Sequence, residues 1–393
     1  MKRILIIGAS ILQVPAIKKA KQLGYYVGVL DYNKDAVGKR YADEFFCVST
    51  IDISGVVEVA KKFKPNGVMT LATDMPMRTV AKVAEVCNLP GITMNTAIKA
   101  TDKGEMIKAF EKANVAHPWY YIVRNAEEID GIKNKIAYPC IMKPIDSAGS
   151  RGVNIISSAN ELKEKYAKSA NESRTGGVIV EEYLIGKEVS VEIMVVDSNI
   201  HILQITDKIT TGEPHFVEMG HTQPSRLEKN EIESIKKLAR RAVEAVGITI
   251  GPAHVEIMVT DRGPKMIELG ARMGGDCITT HLVPLSTGID MVEATIKLAC
   301  GEKIKIIPKF NKGAAIRYVE QKKGVLREYK NIDKIKRIFG VKEVVQVKHP
   351  GDMIEDIKNS SDRIAFVIAQ ANTANEAAKI CDRAISEIEV IID

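Results

Sequence analysis

The sequence lacks several features that would place the chain in a specialised class. None of its apolar runs approaches the ~20 residues that a membrane-spanning helix needs. Its six cysteines form no CxxC pair and its histidines do not cluster, which argues against disulfides and structural zinc. Aromatic residues are only 5%, and the net charge of +6 is spread without a basic tract. These absences predict a cytoplasmic protein that binds neither nucleic acid nor membranes.

What is present is the composition of a globular protein, with 45% hydrophobic and 27% charged residues. A length of 393 residues predicts about two to four units and an inter-domain cleft. Apolar runs at 4–7, 26–30 and 67–71 alternate with amphipathic stretches, which is typical of βαβ units and a parallel sheet. The turn GASILQVP lacks a full GxGxxG, and Asp31 fits either a ribose contact or a turn cap. An NAD-dependent oxidoreductase is therefore only a weak alternative.

Two lysines stand out downstream. The sequence predicts a helix capped by Thr101 or Asp102 that carries Lys103 in its first turn, and a second domain begins there. Residues 138–144 read as an apolar strand interrupted by Lys143, and the glycine-containing loop SAGSRGV follows. A long cation at this place could reach nucleotide phosphates while the loop amides close over them. A lysine that snorkels to the surface is the alternative.

The remaining elements are read from periodicity and turn residues. Residues 178–196 predict a strand, a glycine turn and a strand, with an alternation that suits a half-buried antiparallel pair. An amphipathic helix is predicted at 230–246. Beyond residue 302 the pattern indicates short strands, a helix at 374–388 and a terminal strand at 390–392.

A hairpin around residue 262 carries the clearest chemistry. Residues 261–263 are predicted to form its turn, and a register centred on residue 262 places Glu256 opposite Glu268. Like charges across a strand pair destabilise it, so this pair calls for a divalent cation such as Mg²⁺. Mg²⁺ takes one or two protein carboxylates and completes its shell with water and phosphate oxygens, which implies a nucleotide. Two unrelated glutamates on a solvated face are the alternative.

Arg272 follows Glu268 at even spacing, so it is predicted to point toward the same metal. There its charge could neutralise a phosphoryl group or an acyl-phosphate oxygen in the transition state. An ordinary surface arginine is the alternative.

The order and spacing of five segments resembles the ATP-grasp superfamily over most of the chain. They are TDKGEM, YPCIMKP with SAGSRGV, EEYLIGKE, HVEIM and IELGARMGGD. The resemblance implies an α/β and α+β multidomain fold. Its parts are a preATP-grasp parallel α/β domain at 1–98, an ATP-grasp domain at 99–301 with a mobile lid at about 118–183, and a small α+β domain similar to that of biotin carboxylase at 302–393.

The resemblance also implies roles for individual residues. Lys103 and Lys143 would contact phosphates, Glu188 would bind the ribose, and the main chain of 182–184 would hydrogen-bond adenine. Glu256 and Glu268 would hold Mg²⁺ or Mn²⁺, and Arg272 would stabilise the acyl phosphate. The ATP contacts implied in full are Lys103, Lys143, Ser147, Gly149, Ser150, Gly152, Glu181, Glu182, Tyr183, Leu184 and Glu188.

The chain departs from the family pattern at Gly270, where members commonly have an asparagine, so a second Mg²⁺ would lose a ligand. His254 lies opposite Gly270 in the predicted register and could serve as a ligand or a substrate donor, with a buried structural histidine as the alternative. Asp276 could orient or deprotonate an attacking amine, or cap a turn. Asp74 is a further candidate substrate contact.

The resulting functional prediction is an ADP-forming carboxylate-amine ligase. It would transfer the γ-phosphoryl group of ATP to an amino acid or another small carboxylate, and an amine would then attack the acyl phosphate. A phosphoribosylamine-glycine ligase or another purine-pathway enzyme is the alternative within the class, and bicarbonate is a less favoured substrate. A non-catalytic ATP-binding regulatory protein is the alternative of another class. By analogy with relatives, a homodimer is predicted.

Overall fold

The computed structural model describes residues 1–147, 149 and 151–393, and it begins with a parallel sheet in the order β3-β2-β1-β4. The elements are β1 (Arg3–Ile7), α1 (Val14–Gln22), β2 (Tyr26–Asp31), β3 (Glu44–Cys47), α2 (Ile53–Phe63), β4 (Gly67–Met69) and α3 (Met77–Val86). This confirms the predicted βαβ pattern. The Asp31 carboxylate accepts hydrogen bonds from the Ala9 and Asn33 amides at 2.9 and 3.0 Å, so Asp31 closes the first turn.

Two helices connect this sheet to the rest of the chain, α4 (Met94–Thr101) and α5 (Lys103–Lys112). Thr101 ends α4, and Asp102 caps α5 by accepting a hydrogen bond from the Glu105 amide at 3.0 Å. Of the two predicted caps, Asp102 is therefore the one used. Lys103 becomes the first residue of α5, which fixes the start of its long side chain.

A separate antiparallel sheet in the order β5-β8-β6-β7 follows. Its elements are β5 (Tyr120–Val123), α6 (Ala126–Ile132), β6 (Cys140–Pro144), β7 (Asn154–Ile156), α7 (Leu162–Asn171) and β8 (Val178–Glu182). It has its own apolar core, which includes Ile129, Met142 and Leu162. The sheet falls within the predicted lid, whose limits and mobility stay predictions.

The remainder of the chain alternates long strands with helices. Its first part has β9 (Lys187–Val196), β10 (Asn199–Thr210), β11 (Glu218–Gln223), α8 (Lys229–Val246), β12 (Gly251–Thr260), β13 (Gly263–Gly270), α9 (Val283–Thr287) and α10 (Met291–Ala299). Its second part has β14 (Gly313–Tyr318), β15 (Gly324–Lys330), α11 (Ile332–Lys336), β16 (Val341–Gln346), β17 (Met353–Ile354), β18 (Ala365–Ala371), α12 (Ala374–Ser386) and β19 (Glu389–Ile392). None of the helices in the described residues is long and apolar enough to cross a bilayer.

One eight-stranded sheet unites these two parts, in the order β13-β12-β9-β10-β11-β14-β18-β16. The predicted boundary at residue 302 therefore separates segments that share a sheet. A second finding concerns β8 and β9, which do not pair, because β9 lies between β10 and β12. The prediction of a half-buried strand here was wrong: residues 189–195 are all buried, with α8 packed on the face of Val191 and Ile193.

Candidate active site

The hairpin of β12 and β13 places two carboxylates side by side. Glu256 pairs with Glu268, and His254 pairs with Gly270, which confirms the predicted register. Strand β12 lies inside the eight-stranded sheet and β13 at its edge, so this face is built on rigid elements. Two acidic side chains are thereby held together at one place.

The turn of this hairpin differs from the prediction. Thr260 already pairs with Gly263, so only residues 261 and 262 lie between the strands. A bulge then shifts the register by one residue, because Ile257 pairs with Met266 while its neighbour Glu256 pairs with Glu268. The predicted three-residue turn was wrong, and the bulge restores the predicted pairing of the glutamates.

A buried lysine compensates the acidic face. The ammonium of Lys208 on β10 donates to Glu188 and, at 3.1 Å, to Glu256, and it lies 3.6 Å from Glu218. Burial opposes its charge, but the three carboxylates outweigh burial and raise the pKa of Lys208 well above its usual value. A lysine thus supplies part of the positive charge that the prediction assigned to metal. The carboxylate of Glu188, predicted to bind ribose, is engaged here.

His254 is buried between two glutamates. Its Nδ1 lies 2.8 Å from Glu192 Oε1 and its Nε2 lies 3.1 Å from Glu256 Oε1. Burial disfavours the imidazolium, but Glu192 and Glu256 outweigh it and raise the pKa of His254 to about 9. Glu192 is itself completely buried, and its Oε2 has no hydrogen-bond partner among the described residues. The imidazole therefore connects the interior to a predicted metal ligand and does not fill the space over Gly270.

The charge on His254 predicts a pH dependence of stability. Because its pKa in the folded protein lies above the usual 6.5, its stabilising contribution is complete below pH 6.5 and is lost as pH rises through about 9. We expect the free energy of unfolding of the wild type to exceed that of His254→Asn by on the order of 3 kcal/mol below pH 6.5. Urea unfolding in EDTA without nucleotide measures this difference. A difference that does not change with pH would contradict a charged His254.

Lys103 joins the second carboxylate to the glycine-containing loop. Its ammonium lies 2.9 Å from Glu268 Oε2 and donates to the Ser147 carbonyl at 3.0 Å. In that loop Gly149 and Gly152 have φ of +69° and +73°, a conformation that favours glycine. Ser150 lies outside the described residues. The structure thus brings the predicted phosphate-binding lysine, the loop and a predicted metal ligand together.

The four-stranded sheet of β5 to β8 contributes a second buried ion pair, between Lys143 on β6 and Glu181 on the adjacent β8. The next residue, Glu182, donates its amide to the Trp119 carbonyl at 3.0 Å, so that amide is already used and does not face an adenine. Its carboxylate lies 2.5 Å from Lys265 on β13. The predicted adenine contacts through the Glu182 carbonyl and the main chain of Tyr183 and Leu184 stay predictions.

Arg272 lies just beyond β13 and forms a bidentate ion pair with Asp74. Its Nε and Nη2 each donate to one Asp74 oxygen at 2.9 Å, and its Nη1 donates to the Met273 carbonyl at 3.1 Å. Burial opposes the charge, but Asp74 outweighs it and raises the pKa of Arg272 above its usual value. The loop after β4 and the loop after β13 are therefore joined at two residues that were predicted separately.

Gly270 leaves room for this ion pair. A Cβ atom at position 270 would lie 2.8 Å from Asp74 Oδ1 and 3.0 Å from Arg272 Nε. The Asp74–Arg272 pair therefore occupies the space that a side chain at position 270 would need. Packing thus gives one physical reason for a glycine at position 270, and the predicted loss of a second metal ligand there stays a prediction.

A substitution tests this interpretation. We expect Gly270→Ala to displace the Asp74–Arg272 pair and to lower kcat by about 10- to 100-fold, because small misplacements at reacting groups are costly. Thermal unfolding should change little. Gly131→Ala, where the added Cβ would meet nothing within 4 Å, is the matched control. Wild-type kcat in Gly270→Ala would show that the pair tolerates displacement.

Asp276 forms an ion pair with Arg363, an arginine of the C-terminal segment. Arg363 Nη1 and Nη2 donate to its two oxygens at 2.8 and 2.7 Å, and His221 Nε2 lies 3.5 Å away. Burial would raise the pKa of Asp276, but Arg363 and His221 outweigh burial and hold it well below its usual range. A carboxylate with so low a pKa is a poor base for removing a proton from an amine, whereas its orientation of an amine and its role as a turn cap stay predictions.

A cavity of about 150 Å³ lies beside Lys103 and Glu268. Its wall includes Asp74, Lys103, Asp146, Arg174, Glu268 and Gly270. A narrower cleft continues past Lys103 toward the lid, and its wall includes Phe110, His117, Lys143, Glu181, Met266 and Ile267. The cavity wall carries several charged side chains, whereas the cleft wall is mostly apolar. The cleft has a volume of only about 10 Å³, so it would have to open to admit a planar base.

The acidic pair fits a divalent cation. No cluster of three or more His, Cys, Asp or Glu side chains arranged for a metal is found in the described part of the chain. Mg²⁺ commonly uses only one or two carboxylates and takes its other ligands from phosphate and water. Among the described residues, the ion pairs of Glu256 involve its Oε1 and that of Glu268 involves its Oε2, which leaves one oxygen of each carboxylate outside these ion pairs and able to bind a metal.

Sequence reasoning missed Lys208, Glu192 and Arg363. Lys208 carried a weaker signal than Lys143, because it follows Asp207 in the polar second half of β10. Glu192 was more readable, because a charged residue stands there among the valine, isoleucine and methionine residues of β9. Arg363 carried no comparable local signal, because it precedes its strand in a polar turn.

Two family profiles match the chain. That of the ATP-grasp domain matches residues 136–280, and that of the L-amino acid ligase C-terminal domain 2 matches residues 317–393. Alanine–anticapsin ligase of Bacillus subtilis is 25% identical over 324 residues, which cover 76% of this chain and 68% of that protein.

Solved structures resemble the chain over its whole length. The phosphoribosylglycinamide synthetase of Anaerococcus prevotii superposes with a TM-score of 0.81 at 25% identity and 100% coverage of both chains. The L-amino acid ligase of Bacillus licheniformis superposes with a TM-score of 0.87 at 23% identity, covering 100% of this chain and 99% of its own. The second likeness shows the fold alone.

Proposed function

Because this chain belongs to the ATP-grasp superfamily of ligases, we propose that it joins the carboxylate of an amino acid to an amine through an acyl phosphate. The observation that carries the proposal is the Asp74–Arg272 ion pair, because Asp74 lines the cavity together with Lys103 and Glu268, and the guanidinium of Arg272 interacts electrostatically with Glu268 and Glu256. It puts a cation suited to a transferring phosphoryl group beside the candidate metal and phosphate contacts. A protein that only bound ATP would not need that cation.

The same pair supports an amino acid as the carboxylate substrate. An α-amino acid carries an ammonium and a carboxylate a few bonds apart, so it can exchange partners with an existing ion pair. Its ammonium would replace Arg272 at Asp74, and its carboxylate would replace Asp74 at Arg272. The pair thus holds the site in a charge-balanced form until substrate arrives, and it prepares Arg272 for the oxygens of the acyl phosphate.

ATP would lie along the cleft with its base toward the lid. Lys143, held by Glu181, and Lys103, held by Glu268, would contact its phosphates, while Glu256 and Glu268 would hold Mg²⁺. Bound there, Mg²⁺ would neutralise charge on the phosphates. The loop at 147–152 connects to Lys103 through the Ser147 carbonyl, so closure of the lid would bring loop amides and lysine onto the phosphates together.

The C-terminal segment favours an amino-acid ligase over a purine-pathway enzyme. Its profile match, to the L-amino acid ligase C-terminal domain 2, covers the residues that complete the eight-stranded sheet and supply Arg363. Alanine–anticapsin ligase, by its name, acts on an amino acid. The likeness to phosphoribosylglycinamide synthetase keeps a purine substrate as the second candidate.

Phosphate release tests the proposal. Purified protein with ATP and Mg²⁺ is offered amino acids singly and in pairs, with phosphoribosylamine plus glycine and with bicarbonate as separate arms. We expect release that requires two amino acids and yields a dipeptide by mass spectrometry. Release only with phosphoribosylamine and glycine would identify the purine alternative. Tight ATP binding without release in any arm would support a regulatory protein.

A further inference from the structure

We infer that Arg363 is a positioning residue that sets the conformation of the loop at 271–277 through its ion pair with Asp276. The importance of this loop for chemistry rests on the proposed function, but its conformation can be measured without turnover. The inference concerns a residue far along the chain, outside the matched ATP-grasp domain at 136–280.

All three guanidinium nitrogens of Arg363 have partners. Besides the bidentate contact with Asp276, Nη1 donates to the Glu218 carbonyl and Nε donates to the Ser360 carbonyl, each at 2.9 Å. Its guanidinium carbon lies 3.8 Å from the centre of the Tyr318 ring. A planar, nearly buried cation with this many contacts has one orientation, and lysine could not reproduce it.

The backbone around Arg363 is fixed as well. The preceding turn, Ser360–Asp362, carries a capping box in which Asn359 and Asp362 each accept a hydrogen bond from the main chain. After Arg363, the Ile364 carbonyl accepts a hydrogen bond from the Val347 amide at 2.7 Å. The arginine therefore projects from a rigid base onto the loop.

The loop that it contacts is strained. Asp276 and Cys277 have φ of +49° and +61°, a left-handed conformation that non-glycine residues adopt at a cost. Two such residues in succession persist only where surrounding contacts impose them. Arg363 forms its ion pair with the first of these residues, Asp276. The Thr279 hydroxyl donates a hydrogen bond to the Gly274 carbonyl at 2.6 Å.

The loop in turn borders the reacting groups. Arg272 donates to the Met273 carbonyl, so the guanidinium proposed to meet the acyl phosphate is attached to this segment. A Cβ on Gly274 would lie 2.6 Å from His254 Nδ1 and 2.9 Å from Glu192 Oε2, so the loop also covers the buried histidine. If the strained residues Asp276 and Cys277 relaxed, the guanidinium of Arg272 and the imidazole of His254 would both shift.

Arg317 is the matched control. It is an equally buried arginine of the C-terminal segment, and it donates to Asp382 at 2.8 Å and to the His221 carbonyl at 3.0 Å. Within the described residues, its side-chain hydrogen bonds go to Asp382, His221, Thr222 and Ile316, and none goes to 271–277. Arg317→Ala should lower the stability of the protein because it removes a buried arginine and its ion pair, as Arg363→Ala does. It should leave the conformation of the loop at 271–277 unchanged.

The experiment combines hydrogen exchange with kinetics. In Arg363→Ala we expect faster amide exchange at 273–279, kcat lowered by about 100-fold, and KM for ATP changed by less than about 3-fold. Guanidinium added to Arg363→Ala should restore part of the protection of these amides from exchange and part of kcat. Arg317→Ala should leave exchange at 273–279 as in wild type.

Unchanged exchange at 273–279 in Arg363→Ala would overturn the inference, as would equal exchange increases in both variants. If Arg363→Ala does not fold, Asp276→Asn removes the charge while keeping the shape, and the same exchange criterion applies. If no substrate pair supports turnover, the proposed function fails, yet loop exchange still decides the role of Arg363.

Discussion

Glu268→Gln is expected to lower ATP turnover by about 1,000-fold, the larger end of what is lost when a preorganised charge is removed from a phosphoryl-transfer site. The substitution removes a predicted metal ligand and leaves the ammonium of Lys103, 2.9 Å away, without its carboxylate. The measurement is phosphate release at saturating substrates. Titration with Mg²⁺ should show weaker metal dependence at the same time.

The control for this variant is Glu244→Gln, on the exposed side of α8, which should behave as wild type. Nucleotide binding in EDTA should be retained by Glu268→Gln, since Lys143 and the apolar cleft are unchanged. Turnover within a few-fold of wild type would show that Glu256 alone suffices for the metal, and the paired-carboxylate site would have to be abandoned.

Arg272→Lys is expected to lower kcat by about 100- to 1,000-fold, although the charge is conserved. Lysine cannot donate to both oxygens of Asp74 or to two oxygens of an acyl phosphate, so the geometry is lost with the guanidinium. Asp74→Asn should act differently, raising KM for the amino acid more than it lowers kcat, because Asp74 is proposed to meet the substrate ammonium.

The double variant separates these roles. If Asp74 serves only to hold Arg272, then Asp74→Asn and Arg272→Lys should each lower kcat and their effects should not add. If Asp74 binds substrate, its effect on KM should persist when Arg272 is already lysine. Full activity in Arg272→Lys would mean that the arginine stabilises the resting structure and has no part in phosphoryl transfer.

Local patterns predicted the parts of the site that depend on nearby sequence. The register of β12 and β13 followed from a short connection and apolar alternation, even though the turn was assigned one residue too long. A bulge compensated for that error, and a bulge leaves no clear mark in a single sequence. The start of α5 at Lys103 was similarly readable, because capping depends on adjacent residues.

Contacts between distant segments were beyond such reasoning. Lys208 meets Glu256 only because β10 and β12 flank β9 in registers that include a further bulge between Ile202 and Gln204. The Asp74–Arg272 pair joins residues that are 198 positions apart in the sequence, and the Arg363–Asp276 pair joins residues that are 87 positions apart. Each depends on sheet order, which periodicity does not encode. The roles proposed for these residues remain to be tested.

The continuity of the large sheet has a consequence for protein engineering. Strand β11 pairs with β14 along four residues from each strand, so a chain cut near residue 302 would end the sheet at β11 and expose its hydrogen-bonding edge. Bare edges of long strands recruit other chains, and the fragment would tend to aggregate. The C-terminal segment therefore cannot be exchanged between relatives like an appended module. Chimaeras should instead be joined at the helix termini outside the sheet.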